Sequence, residues 1–148
     1  MKTSLRSVFA IAAIIAIASP AFAADLQSVI GGSQADKLNL IHVQDLAREM
    51  KDPNAHLYIF DANPPDARTS TGWIPGAKLI APYDKYDVAT ELPPDKGSDL
   101  VFYCRNTQCM ASHAAAKRAI NAGYTDVSVM ADGIEGWKNA GMPVEMPH

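Results

Sequence analysis

Short apolar segments alternate with helix-forming segments along most of the chain. Five apolar segments have the length of buried strands, at 38–42, 57–60, 77–80, 100–103 and 127–130. Helices are predicted where apolar residues have helical spacing or alanine is abundant, at 43–50, 112–122 and 133–140. Ser112 is the predicted N-cap of the second helix, and Gly123 and Gly141 are predicted to stop the second and third. This alternation predicts an α/β fold with a mainly parallel sheet and helices on both faces.

The predicted loops are rich in proline, glycine and charged residues. They lie at 63–66, at 71–76 and at 82–98, the last with about one helical turn. Asp61 follows strand 57–60, and Cys104 follows strand 100–103. Ligands of parallel sheets bind beyond the carboxyl ends of the strands, so we expect both side chains on one functional rim.

The amino terminus predicts export. Lys2 and Arg6 precede an apolar segment at 7–19, and the small residues Ala21 and Ala23 flank Phe22. This pattern predicts a signal peptide at 1–23, because the apolar segment is shorter than the roughly 20 residues of a membrane-spanning helix. A flexible lead-in at 24–37 and one domain at 38–146 would follow in a periplasmic or secreted protein. We expect no stable membrane insertion after cleavage.

Composition and charge exclude several functional classes. Without Lys2 and Arg6, 11 basic and 16 acidic side chains remain, a net charge of −5. This charge gives no electrostatic basis for binding nucleic acid. Two cysteines are too few for a disulfide-dense fold. The four histidines lack the spacing of zinc ligands, so we expect neither a metal nor a cofactor.

The chain's two cysteines, Cys104 and Cys109, lie in one predicted loop between a strand and a helix. A thiol at such a junction faces the positive end of the helix dipole and free backbone N–H groups. That setting lowers the pKa of a thiol and stabilises the anions it forms. Cys104 is therefore the candidate nucleophile, and its alternative role is that of a small buried apolar side chain.

Four segments stand out along the chain. They are Ile59-Phe60-Asp61 with Arg68 in the loop that follows, Gly72-Trp73-Ile74-Pro75-Gly76-Ala77, Val101-Phe102-Tyr103-Cys104 before an alanine-rich helix, and 132–144 with Trp137 and a terminal Ala-Gly-Met-Pro-Val. Together they resemble the rhodanese-like domain, the sulfurtransferase fold. Their order and spacing extend the resemblance over about 38–145. It implies a rhodanese-like α/β fold with a central, mainly parallel sheet.

The resemblance also implies that Cys104 is the nucleophile of a sulfurtransferase. Its thiolate would take sulfur from a small donor anion such as thiosulfate, become a persulfide, and pass the sulfur to a thiol acceptor, small or protein. Loop N–H groups and the helix amino terminus would hold these anions without a metal. Arg105 is the cation expected to favour the thiolate or to meet the substrate. The other predicted loop residues of the site are Asn106, Thr107, Gln108, Cys109 and Met110.

The loop departs from the family pattern in length and composition. Family loops usually have about five residues after the cysteine, often with a glycine and a late arginine. Here seven residues, 105–111, precede Ser112, none is glycine, and Cys109 stands near the arginine position. The missing arginine disfavours phosphatase and arsenate-reductase chemistry.

Cys109 opens alternatives to simple sulfur transfer. Two thiols five positions apart in a bent loop can come within disulfide reach. Cys109 can then resolve the Cys104 persulfide, or the pair can form the resting disulfide of a thiol-disulfide module. Cys109 can also be a packing residue, and the domain a non-catalytic binding domain.

Five further side chains are candidates for supporting or structural roles. Asp61 is expected to cap a turn, with a chemical acid as its alternative role. Arg68 is expected to form an ion pair with Asp61 or Asp66, with a contact to a substrate anion as its alternative role. His113 is expected to be an exposed first-turn residue, with a base or cation near Cys104 as its alternative. Trp73 is expected to form an apolar wall near the site, and Trp137 to anchor the last helix in the core.

Overall fold

The computed structural model describes residues 38–147, in which strands and helices alternate. The elements in chain order are β1 (Asn39–Ile41), α1 (Val43–Glu49), β2 (Leu57–Asp61), α2 (Pro65–Thr71), β3 (Lys78–Leu79), α3 (Val88–Glu91), β4 (Asp99–Tyr103), α4 (Ala111–Asn121), β5 (Asp126–Met130) and α5 (Gly133–Asn139). The strands form one sheet in the order β1-β5-β4-β2-β3, and every pair is parallel. The predicted α/β class with a parallel sheet is confirmed.

Side chains of the central strand β4 alternate between two hydrophobic cores, as the pleat of a strand requires. Leu100 and Phe102 belong to the core that includes the buried alanines of α4. Val101 and Tyr103 belong to the opposite core, with the buried residues of α1 and α5. Trp137 lies in that second core with only 1% of its surface exposed, so its predicted role as an anchor is confirmed.

The helices differ from the prediction in two places. Pro65–Thr71 forms α2, although its start was predicted as a loop, because Pro65 occupies the first helical position where proline is tolerated. Helix α4 begins at Ala111 with Met110 as its N-cap, so the predicted capping role of Ser112 is wrong. Gly123 and Gly141 follow the ends of α4 and α5 as predicted.

The predicted signal peptide at 1–23 and lead-in at 24–37 lie outside the described residues. In 38–147, no helix has both the length and the apolar character that crossing a membrane requires. The same residues contain no group of three or more histidine, cysteine or acidic side chains that could hold a metal ion.

Candidate active site

Strands β2 and β4 place Asp61 and Cys104 on the same rim of the sheet. Asp61 pairs in register with Tyr103, the residue that precedes Cys104. The N–H group of Ala62 donates to the Tyr103 carbonyl at 2.9 Å, which extends the pairing to the start of the Cys104 loop. Cys104 is only 1% exposed, since it lies between the sheet end and the start of α4.

The sulfur of Cys104 has three close neighbours. It is bonded to the sulfur of Cys109 in a disulfide, and the Cα atoms of the two residues are 6.3 Å apart. It also lies 3.2 Å from the Oγ atom of Ser112 and 3.2 Å from the carbonyl oxygen of Cys109. The prediction that the two cysteines come within disulfide reach is confirmed.

The loop that carries the two cysteines is shorter than predicted. Because Met110 is the N-cap of α4, only residues 105–109 separate it from Cys104. The predicted elongation of the loop is therefore wrong, and its length matches the five residues usual in the resembled family. The error arose from Ser112, whose hydroxyl turns towards the sulfur of Cys104 instead of capping the helix.

Asn106 organises the turn between the two cysteines. Its carbonyl accepts the N–H group of Cys109 at 3.0 Å, and its Oδ1 accepts the N–H group of Gln108 at 3.2 Å. Its Nδ2 donates to Oε2 of Glu135 at 3.0 Å, which ties the turn to α5. Thr107 and Gln108 are exposed at the tip of the loop. In the disulfide form, these hydrogen bonds hold the turn that carries Cys109 over Cys104.

The first turn of α5 supports the other end of the loop. The N–H groups of Ile134 and Glu135 donate to the carbonyls of Cys104 and Arg105, at 2.8 and 3.0 Å. Gly133 precedes them with a positive φ of 65°, and a Cβ atom there would collide with the carbonyl group of Arg105. Sequence reasoning missed this role of Gly133 and Glu135, although both stand in the 132–144 segment that it singled out.

Arg105, the cation predicted to favour the Cys104 thiolate or to meet the substrate, forms an ion pair with Glu135. Its Nε donates to Oε1 of Glu135 at 2.6 Å, and its side chain is 60% exposed. The hydrogen bonds from Arg105 and Asn106 hold the pKa of the Glu135 carboxyl below its usual range. The charge of Arg105 is therefore shared with an acidic partner, and its role on the Cys104 thiolate or toward the substrate stays a prediction.

Backbone N–H groups at the start of α4 remain available to an anion. The first N–H groups of a helix have no acceptor within the helix. In the described part of the chain, none of the backbone N–H groups of Ala111, Ser112 and His113 donates to another protein atom. Ser112 also contacts the sulfur of Cys104, so this helix end adjoins the sulfur and favours negative charge there.

A cavity of about 390 Å³ lies beside the loop. Its lining side chains include Arg105 and Lys138, with Glu135 as the acidic member, so positive charge predominates. Neither cysteine is among the residues that line this cavity. A larger cavity of about 480 Å³ lies along β2 and does not include the cysteine loop.

Asp61 and Arg68 form a buried structural network. Asp61 is fully buried and accepts the N–H group of Asn63 at 2.6 Å and the hydroxyl of Tyr103 at 2.9 Å. Arg68 lies 3.5 Å from its carboxylate and donates to the carbonyls of Asp61 and Ile80. Burial raises the pKa of the Asp61 carboxyl, against the opposing effects of Asn63 and Arg68. These contacts match the predicted turn cap and ion pair.

His113 does not have the exposure that was predicted for it, and Trp73 makes a contact that was not predicted. His113 is half-buried instead of exposed, because it lies in the first turn of α4 with a buried Nδ1 that has no hydrogen-bond partner. The indole N–H of Trp73 donates to Oε2 of Glu145 at 2.8 Å, and the two backbones form a bridge. Trp73 thus contacts the carboxyl-terminal segment, and an apolar wall near Cys104 stays a prediction.

A family model described as the rhodanese-like domain matches residues 42–140. The chain belongs to the rhodanese-like domain family. The match covers more than half of the sequence and confirms the family resemblance. At the level of the family, rhodanese-like sulfurtransferases use sulfur donors and thiol acceptors.

Solved structures share the fold of this rhodanese-like domain. A protein from Bacillus halodurans has a TM-score of 0.64 at 22% identity, over 85% of this chain and 84% of that one. A polysulfide-sulfur transferase from Wolinella succinogenes has 0.61 at 18%, over 85% and 90%. A thiosulfate sulfurtransferase from Pseudomonas aeruginosa has 0.60 at 22%, over 75% of this chain and 21% of that one. No curated protein matches the chain by sequence.

Proposed function

We propose that this rhodanese-like domain is an exported sulfurtransferase. It would move sulfane sulfur from a donor such as thiosulfate to a thiol acceptor through a persulfide on Cys104. The family membership supports this, as do two neighbours named as sulfurtransferases. The observation that carries the proposal is the position of the Cys104 sulfur at the carboxyl end of β4, beside Ser112 and the unpaired N–H groups of α4.

The reaction begins once a dithiol has reduced the disulfide. The Cys104 thiolate attacks the outer sulfur of thiosulfate, the bond between the two sulfur atoms of the donor breaks, and sulfite leaves with the electron pair. The persulfide anion rests beside the amino terminus of α4, whose N–H groups stabilise it. An acceptor thiolate then attacks the outer sulfur, and the Cys104 thiolate leaves.

Intact-mass measurement of the reduced protein after thiosulfate treatment tests this proposal. We expect the wild type and Cys109→Ser to react with the donor, and Cys109→Ser to gain one sulfur atom that cyanide removes. Cys104→Ser should gain none. If Cys104→Ser gains sulfur and Cys109→Ser does not, the nucleophile is not Cys104 and the proposal fails.

The disulfide favours a second candidate, a thiol-disulfide module that uses Cys104 and Cys109. In this case the bond between the two cysteines is the functional form in an oxidising compartment. The mass of protein isolated from its own compartment separates the candidates. The loss of two hydrogens marks the disulfide, whereas the gain of one sulfur marks the persulfide. A domain that only binds partners would load no sulfur after reduction.

A further inference from the structure

We propose that Cys109 is a resolving cysteine that releases the sulfur of the Cys104 persulfide as hydrosulfide. This inference rests on the proposed persulfide and adds the fate of its sulfur when no external thiol takes it. The domain would then reduce sulfane sulfur at the expense of a dithiol, in addition to handing it to an acceptor.

The geometry places Cys109, the second nucleophile, beside the inner sulfur of the persulfide, which is the Sγ atom of Cys104. The sulfur atoms of Cys104 and Cys109 are bonded, with a Cα separation of 6.3 Å, so the loop accommodates the product of the attack. The N–H group of Cys109 donates to the Asn106 carbonyl at 3.0 Å, and Asn106 is tied to Glu135 at 3.0 Å. Cys109 also packs partly buried against the core that contains Cys104.

This fixed position gives Cys109 an advantage over any thiol from solution. An intramolecular nucleophile held in position reacts as if at very high concentration, because the entropy of bringing the groups together has already been lost. The inner sulfur of the persulfide is the Sγ atom of Cys104, which is buried and has Cys109 directly against it. Attack by Cys109 is therefore favoured over attack by a bulky external thiol at that atom.

The resolving step balances in atoms and electrons. The Cys109 thiolate attacks Sγ of Cys104, the bond between the two sulfurs joins the cysteines, and the bond to the outer sulfur breaks. The outer sulfur leaves with the electron pair and takes the proton that the Cys109 thiol gave up, so it departs as hydrosulfide. Two cysteine sulfurs are oxidised while the sulfane sulfur is reduced. A dithiol reductant then restores both thiols by exchange and becomes a disulfide itself.

A single-turnover experiment without free thiol or oxygen tests this step. Reduced protein, freed of reductant, is mixed with thiosulfate, and hydrosulfide, protein thiols and intact mass are measured. We expect the wild type to release about one hydrosulfide per chain and to end as the disulfide. Cys109→Ser should stop at the persulfide, with hydrosulfide at least tenfold lower. Thr69→Ser, an exposed change in α2 outside the cysteine loop, is the control and should behave as the wild type.

The outcomes separate this inference from the proposed function. A stable persulfide on the wild type, or equal hydrosulfide from the wild type and Cys109→Ser, overturns the resolving role and leaves sulfur transfer intact. Absence of sulfur loading and of sulfite release in both proteins overturns both proposals. Cys109→Ala provides a second variant if the serine disturbs the loop, and its melting curve shows whether the fold is preserved.

Discussion

The residue that most changes the chemistry of the site is Ser112. Its hydroxyl is 1% exposed and lies 3.2 Å from the sulfur of Cys104. A buried hydroxyl requires a partner, and a thiolate is a far better acceptor of its hydrogen bond than a thiol. We therefore expect Ser112 to act as a positioning residue that stabilises the Cys104 thiolate once the disulfide is open.

Ser112→Ala is expected to slow the alkylation of Cys104 by iodoacetamide. The measurement uses reduced protein in a Cys109→Ser background, so that a single thiol reacts. Loss of a hydrogen bond of about 1 kcal/mol should lower the rate at pH 7 about fivefold and displace its rise with pH to higher pH. Ser70→Ala, which removes an exposed hydroxyl from α2, is the control. An unchanged pH–rate profile would mean that Ser112 acts only in packing.

At the scale of elements, the strands were predictable and one helix was not. The strands that pair at the centre of the sheet are continuous apolar segments, because helices cover both faces. Helix α2 has no apolar face, and its buried residues are Arg68 and Thr71. It is held by hydrogen bonds from Arg68 to the carbonyls of Asp61 and Ile80, which no periodicity can reveal. The predicted start of α4 was wrong for a similar reason, because the hydroxyl of Ser112 contacts the sulfur of Cys104.

Helix α5 braces the cysteine loop, and Gly133 is expected to be essential for this contact. Its φ of 65° alone disfavours a side chain by about 1–2 kcal/mol, and a Cβ atom would also collide with the carbonyl group of Arg105. Overpacking of this kind adds about 1–3 kcal/mol. We therefore expect Gly133→Ala to lower the free energy of unfolding by about 3 kcal/mol in urea titration and to slow sulfur loading.

Gly141→Ala is the matched control for this change. Gly141 has a similar φ of 73°, but its Cβ would meet no atom within 4 Å. This variant should lose only the conformational part, about 1–2 kcal/mol, and load sulfur at the wild-type rate. Equal losses of stability in the two variants would show that the collision with the Arg105 carbonyl group contributes nothing to the loss in Gly133→Ala.

At the scale of the whole molecule, the family and the functional rim of the sheet were predictable from the sequence. The pairing of the charged side chains at the site was not. The apolar segments and four motifs specify the sheet, and the strand ends bring Asp61 and Cys104 together. The pairing of Arg105 with Glu135 joins residues 30 positions apart and depends on the angle at which α5 meets the loop. Such a contact has no local signal, so the loop sequence alone could not reveal that Arg105 is paired with Glu135.

Two hydrophobic cores, and not the disulfide, hold the described domain together. Both cores are built from strands and helices, and Cys104 is one of many buried residues in the first of them. The disulfide closes a short loop, with a sequence separation of only five. Loop-closure entropy for so short a loop stabilises the folded state by about 2 kcal/mol. The reduced protein should therefore remain folded, which a catalytic cycle through free thiols requires.

We expect reduction by a dithiol to lower the melting temperature by roughly 5–10 °C while the far-ultraviolet circular dichroism at 25 °C stays unchanged. The double variant Cys104→Ser/Cys109→Ser should melt at the temperature of the reduced wild type, with or without reductant, because it lacks the bond in both cases. If reduction unfolded the domain at 25 °C, the disulfide would be a structural staple. Cys104 could then not cycle between thiolate, persulfide and disulfide, and both sulfur-transfer proposals would lose their reactive state.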